Sequence, residues 1–326
     1  MMNKYSVPLL IAATAASFSA FANNDDSLTV YGRANVSFQS SDDGFGSETE
    51  VVSNSSRFGF KGASELESDL EVFYQIEFGV DLADSDDEKD AVTNRNQVVG
   101  LRGNFGKVMI GRYDTFLKDS QGSVDAFKDY EADLKSLFKG ENRADNTLTY
   151  YSPSYKGFSF GVTYVASEND NVDDGYSFGL LYGDSKLKKT NYYAALAIDR
   201  DVDSYDIIQL TGATKFGKTR VGVVLQQFET INGSNDSDGF LISAAHPYEN
   251  WVFKAQYQAI DDDSDSDSDA SISVGADYFF SGDTRVYAWY TGRECDIASY
   301  STRGCGANPG VEQDFVAVGI RHDFSW

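Results

Sequence analysis

Apolar and polar residues alternate one for one along most of this chain. Leu28, Val30, Gly32, Ala34, Val36 and Phe38 fall on one side of an extended segment, and Thr29, Tyr31, Arg33, Asn35, Ser37 and Gln39 on the other. Successive side chains of a strand point to opposite faces, so such a segment meets apolar material on one side and water on the other. Leu70, Val72, Tyr74, Ile76, Phe78 and Val80 repeat the arrangement against Glu71, Gln75 and Glu77. Phe158, Phe160, Val162 and Tyr164 do so against Ser159 and Thr163, and Trp251, Phe253, Ala255 and Tyr257 against Lys254, Gln256 and Gln258. A single alternating strand fits a half-exposed sheet of a soluble protein equally well. Its recurrence from end to end shifts the balance towards a membrane barrel.

Segments of this kind predict strands near 28–39, 55–63, 70–80, 95–104, 107–113, 146–153, 157–166, 175–183, 188–199, 205–216, 218–228, 238–246, 250–260, 271–280, 284–293 and 313–326, sixteen in all. An even, antiparallel, closed barrel leaves no strand edge in lipid, where an unsatisfied backbone group costs several kcal/mol. Sixteen strands also enclose a lumen too wide for side chains to fill. The expected fold is therefore an all-β transmembrane antiparallel β-barrel around an aqueous channel. A helical membrane protein is excluded, because the longest apolar run beyond the amino terminus, Tyr192 to Ile198, is far shorter than the roughly 18 residues of a spanning helix.

The connections alternate in length. Short turns at Phe105-Gly106-Lys107, Tyr155-Lys156-Gly157, Phe216-Gly217-Lys218, His246-Pro247-Tyr248-Glu249 and Ser281-Gly282-Asp283 read as periplasmic. Longer acidic segments, Asp81 to Asp90, Glu168 to Asp174, Glu229 to Asp238, Asp261 to Asp269 and Glu294 to Glu312, read as extracellular loops. Tyr and Phe near strand ends suit aromatic girdles at the two interfaces.

Met1-Met2-Asn3-Lys4, the apolar run Val7 to Phe18 and Ala20-Phe21-Ala22 have the form of a secretory signal with an A-x-A cleavage site. Residues 1–22 are thus expected to be removed, leaving 23–326 as one domain, since no Pro- or Gly-rich linker divides it and the chain has four prolines. The chain has a formal net charge of −24, and loss of Lys4 makes the exported chain more negative still. Cys295 and Cys305 lie close together in an exported chain, which favours a loop-stapling disulfide over a metal site or a catalytic thiol. The run Asp261 to Asp269 lacks the glycine and terminal glutamate of a calcium-binding EF-hand loop and reads as a solvated acidic loop.

Three blocks carry a family resemblance: Leu28-Thr29-Val30-Tyr31-Gly32-Arg33, Ser56-Arg57-Phe58-Gly59-Phe60-Lys61-Gly62, and Val99-Gly100-Leu101-Arg102 leading to Phe105-Gly106-Lys107-Val108-Met109-Ile110-Gly111-Arg112. In this order, and with the closing strand Phe315 to Phe324, the chain resembles the Gram-negative general porins over essentially its whole exported length. The resemblance implies a homotrimeric sixteen-stranded channel in the outer membrane, in contact with its lipids and lipopolysaccharide, whose third extracellular loop folds inward. The connection at 113–142 fits that loop, because about 30 residues without structure of their own are unusual unless functional. By resemblance, Asp125 and Asp129 are its constriction carboxylates, and Arg33, Arg57, Arg95 and Arg143 the basic residues of the facing wall. Strand parity sends Arg33 and Arg57 into the lumen, but Arg95 shares parity with the lipid-facing Val99 and Leu101, so a bulge is needed there. The family ends in an aromatic strand read by the outer-membrane assembly machinery; here Phe324 and Trp326 supply it, with Trp where Phe is usual.

Carboxylates opposed to guanidinium groups across a narrow aqueous gap set up a transverse field that orients dipolar solutes and separates cations from anions. The expected function is passive diffusion of ions and small hydrophilic solutes, with the net negative charge favouring modest cation selectivity. A channel selective for one sugar or oligosaccharide is the alternative, and Phe116, Phe127, Tyr130 and Phe138 are rings that either stack on sugar or anchor the loop. A barrel enzyme is disfavoured because the two histidines, His246 and His322, have no recognisable catalytic setting. A plugged structural or adhesive barrel is the remaining competitor. No cofactor, metal site or nucleic-acid motif is expected.

Overall fold

The computed structural model describes residues 27–326, apart from 67–68, 84–89, 170–171, 234–235, 264–267, 298–303 and 306–308. The expected leader at 1–22 and the middle of the acidic run 261–269 lie outside the described residues.

Sixteen antiparallel strands close into one barrel. They are β1 (Ser27–Asp42), β2 (Ser47–Ser53 and Arg57–Glu65), β3 (Glu71–Val80), β4 (Val92–Gly103), β5 (Gly106–Asp114), β6 (Arg143–Tyr151), β7 (Phe158–Val165) and β8 (Gly175–Gly183). The second half comprises β9 (Tyr192–Val202), β10 (Tyr205–Phe216), β11 (Thr219–Thr230), β12 (Asp236–Tyr248), β13 (Trp251–Asp262), β14 (Ser268–Phe279), β15 (Thr284–Cys295) and β16 (Val311–Ser325). Each pairs with its neighbour in sequence, and β16 returns to β1 in a register running from Tyr31↔Ser325 to Asp42↔Asp314. The backbone of Trp326 completes the seam through a reciprocal pair of hydrogen bonds with Val30. The expected sixteen strands are present; β2 departs from expectation only in starting earlier and being interrupted at Asn54–Ser56, where Ser55 adopts a positive φ of 55°. Both halves of β2 still pair with β1.

Alternation holds as read. On β16, Val316, Val318 and Ile320 are exposed on the outer surface, and Phe315 and Ala317 are buried on the inner one. On β1, Asn35, Ser37 and Gln39 are buried inside. A large apolar exterior over polar inner positions is the surface that lipid stabilises and water does not. Rings gather at the rim formed by the short turns: Phe158 stacks on Tyr182, Tyr182 on Tyr192, and Phe324 lies against Trp326. Both histidines are spent locally, His246 Nδ1 on Thr219 Oγ1 and His322 Nδ1 on Thr284 Oγ1, each at 2.8 Å. Cys295 and Cys305 are disulfide-bonded, with 5.3 Å between Cα atoms.

Candidate functional site

The connection 115–142 lies inside the barrel, and it is not structureless. Thr115 caps the helical turn α1 (Phe116–Ser120), and Asp133 caps a 3₁₀ turn at Leu134–Ser136. Phe116, Leu117, Val124, Phe127, Leu134, Leu137 and Phe138 are almost completely buried against the inner wall. The wall makes room with glycine: a Cβ at Gly161 would lie 2.3 Å from the Phe116 ring, at Gly222 2.7 Å from Val124, and at Gly239 2.7 Å from Phe138. Each large apolar side chain so buried contributes about 1.5–3 kcal/mol. Polar clasps fix the register. The Tyr193 hydroxyl donates to the Ser120 carbonyl at 2.6 Å, Gln256 Nε2 to the Ala132 carbonyl at 2.7 Å, and Ser243 Oγ to the Val124 carbonyl at 2.5 Å. Arg293, almost wholly buried, joins Glu131 of the loop to Gly304 beside the disulfide and to Gln313, all through its Nη atoms. The four aromatic rings of the loop are therefore anchors: Phe116 and Phe127 have no exposure, Phe138 has 3% and Tyr130 has 7%. Tyr130 packs on Tyr287 and Trp289.

Between this loop and the wall of β1–β6, β15 and β16 lies a chamber of about 720 Å³. All six residues expected at a constriction line it. Arg33 Nη1 donates to Asp129 Oδ2 at 2.9 Å, and Arg57 Nη2 stands 4.0 Å from the same oxygen. Asp129 has a positive φ of 78°, which turns this part of the loop towards the two arginines. Burial alone would raise its carboxyl, but Arg57, Arg33, Lys135 and Lys128 outweigh that and hold it below the ordinary carboxylate range. Arg95 reaches the chamber through the bulge that its parity required. Register slips between Ile76↔Gln97 and Phe78↔Asn94, so Arg95 and Asn96 together oppose Glu77, and Arg95 Nε donates to Glu77 Oε1 at 2.7 Å. Arg143 pairs with Asp114 at 3.0 Å and hydrogen-bonds Asn96.

Asp125 differs in kind. Its two oxygens accept from the backbone N–H groups of Phe127 and Leu134, each at 2.8 Å, so it ties the loop to itself rather than facing an arginine. Enclosure, together with the neighbouring Asp133 carboxylate, pushes its carboxyl up to about 7.

The chamber contains further charges that sequence reading did not assign. Arg112, Arg285 and Arg321 join the wall, with Glu77 and Asp114 as the carboxylates among its lining residues, while Lys118, Lys128, Lys135, Asp133 and Glu141 come from the loop. Seven arginines and two carboxylates on the wall face three lysines and four carboxylates on the loop. Cations thus outnumber carboxylates among the lining residues, while Asp323 pairs with Arg33 and Arg321, Asp277 with Arg285 and Asp145 with Arg112 from outside the lining. Arg321 shares parity with the inward Phe315 and Ala317; nothing in the sequence places Arg285 or Arg112 at the same height as the loop.

The model of the Gram-negative porin family matches residues 10–294. The chain belongs to the Gram-negative porins. Among curated relatives, this porin is 32% identical over 223 residues to the major outer membrane protein P.IB of Neisseria sicca, covering 64% of this chain and 60% of that one. It is 26% identical over 356 aligned positions to the outer membrane porin protein 32 of Delftia acidovorans, covering 97% and 99%. Among solved structures, the anion-selective porin from Comamonas acidovorans superposes with a TM-score of 0.76 at 22% identity, over 92% of this chain and 100% of that one. The porin is an outer-membrane diffusion channel and not an enzyme.

Proposed function

We propose that the exported chain, residues 23–326, forms a general-diffusion channel for small hydrophilic solutes that favours anions, and that it works as a homotrimer in contact with outer-membrane lipids and lipopolysaccharide. The observation that carries the ion preference is the unequal charge of the chamber lining, ten cationic side chains against six carboxylates, with Asp145, Asp277 and Asp323 paired to its arginines from outside the lining. Local charge outweighs distant charge here, because screening acts over about 8 Å at physiological ionic strength. The modest cation preference expected from a net charge of −24 gives way in this reading for that reason: most of the chain's carboxylates do not line the chamber. Asp125, with its carboxyl near 7, weakens the acidic side further. The Comamonas acidovorans porin, similar in fold, is itself described as anion-selective. An OmpT of Vibrio cholerae with a TM-score of 0.70 is described as a trimer form, which supports the oligomeric reading.

Arg33, Arg57, Arg95 and Arg143 act as the basic lane, and Asp129 as the opposing carboxylate. Arginine suits the lane because it stays charged at any working pH and its fork can be held by neighbours. No bond is made or broken. Burial of the loop aromatics argues against a sugar-stacking path, although small neutral sugars still diffuse. Liposome swelling tests the reading with size-matched solutes: neutral pentoses and small organic anions should swell the vesicles, the anions faster than cations of equal size. A barrel that swells with none of them is plugged.

A further inference from the structure

Like charges placed directly opposite on neighbouring strands destabilise a sheet, unless something of opposite sign lies between them. Two such pairs border the chamber, and each has its counter-charge. Arg33↔Arg57 has Asp129, and Arg285↔Arg321 has Asp277 on one member and Asp323 on the other. A third pair, Arg102↔Lys107, lies beside the Asn104-Phe105 turn at the periplasmic mouth, well below the chamber. Arg102 has Glu71 as its cross-strand partner on the other side, whereas Lys107 has no carboxylate within 4.0 Å among the described residues.

The surroundings of this pair form a second cavity of about 360 Å³ on the inner wall of β1–β5. Lys61, Arg102 and Lys107 line it, and no carboxylate does. Each cation lies over an aromatic ring, Lys61 over Tyr31 at 5.1 Å, Arg102 over Phe73 at 5.6 Å, and Lys107 over Tyr151 at 4.3 Å. The rings position the charges without neutralising them, since a π face attracts a cation but carries no net charge. Lys61, like Lys107, has no ion-pair partner among the described residues. Gln75, directly across from Lys61, adds an amide at the cavity wall.

We infer that this vestibule cavity is a binding site for a small oxyanion of the phosphate class, which supplies the negative charge that the cavity lining omits. The side chains of Lys61, Arg102 and Lys107 border one space of that size, and charge-assisted hydrogen bonds to phosphate oxygens are strong and short. The site rests on the open-channel reading only in that the anion must reach the lumen. It would collect oxyanions at the periplasmic end of the basic wall that continues up through Arg57 and Arg95.

The test uses the intact porin in detergent, with inorganic phosphate as the probe and the width of its ³¹P resonance as the readout. Wild type should broaden the resonance saturably at millimolar phosphate, and Lys61→Gln/Lys107→Gln should weaken that binding at least about fivefold. Arg102→Gln, as a second variant, should weaken it as well. Arg57→Gln should keep at least half of the broadening, because Arg57 belongs to the chamber. Absence of broadening in wild type, unchanged broadening in both vestibule variants, or its loss in Arg57→Gln alone would overturn the site. The reversal potential of the same preparations in KCl reports the chamber separately: a porin that retains phosphate yet prefers cations leaves the vestibule site standing and sinks the anion-preferring chamber.

Discussion

Arg33 and Arg57 stand directly opposite one another on β1 and β2, and Asp129 of the inward loop lies between them, 2.9 Å from the first and 4.0 Å from the second. One loop carboxylate thus lies against two wall guanidinium groups, and Asp323 of β16 accepts from Arg33 Nε at 2.8 Å on the other side. Asp129→Asn keeps the shape of the side chain and removes the counter-charge. The anion-to-cation permeability ratio should rise at least about twofold, read from reversal potentials in a salt gradient. An unchanged ratio would mean that Asp129 does not act on the permeating ions.

Selectivity should also depend on pH, through Asp125. Its carboxyl in the folded chain, near 7, lies above the ordinary value of 3.8, so the fold favours the protonated form. The group's contribution to stability therefore grows as pH falls through about 7 and levels off near 4, and is lost as pH rises. In the same interval the chamber loses a negative charge, so anion preference should increase between pH 8 and pH 5.5. Asp129, held below the ordinary range, contributes no step there. In Asp125→Asn the pH step should vanish; a step of undiminished size would assign it to another group.

The loop's position should depend on glycine at the wall. A Cβ at Gly161 would overlap Phe116, and at Gly275 it would lie 3.1 Å from Phe127. Gly161→Val should displace the loop into the lumen and alter single-channel conductance. Phe127→Ala leaves the wall intact but removes an anchor, costing about 3–5 kcal/mol of stability with noisier open-state current. Thermal unfolding combined with conductance recording separates the two, because only the first variant crowds the pore.

At the closing seam, Trp326 makes two backbone hydrogen bonds to Val30, and its ring lies against Phe324. Truncation before Phe324 removes the last pairs of the seam, Tyr31↔Ser325, Gly32↔Phe324 and the Val30–Trp326 bonds, together with the aromatic end expected to serve as the assembly signal. Outer-membrane yield should fall sharply, while Trp326→Phe should restore it; equal yields for the truncated and full chains would remove this role.

Much of the barrel was legible in the residues themselves, and the reason is the two-residue period. Lipid outside and water inside impose opposite chemistry on alternate residues, so Val316 and Ala317 declare their faces by type alone. Arg33 and Arg57 followed from the same parity. Arg95 did not, because a bulge opposite Glu77 breaks the period, and a bulge leaves no reliable mark in the residue types. The charge of the chamber was hidden for a different reason. Net charge sums over the whole chain, whereas Arg112, Arg285 and Arg321 act because barrel shear brings distant strands to the level of one loop. The loop's seating on Gly161, Gly222 and Gly239 was equally hidden, since a strand glycine reads as weakness until the side chain that occupies its place is known.

If the chamber, rather than the net charge of the chain, sets the ion preference, the sign of a single potential decides the matter. That potential is the reversal potential across a planar bilayer holding this porin, under a tenfold KCl gradient at neutral pH. The sign carried by chloride is expected; the sign carried by potassium would contradict a chamber-set anion preference.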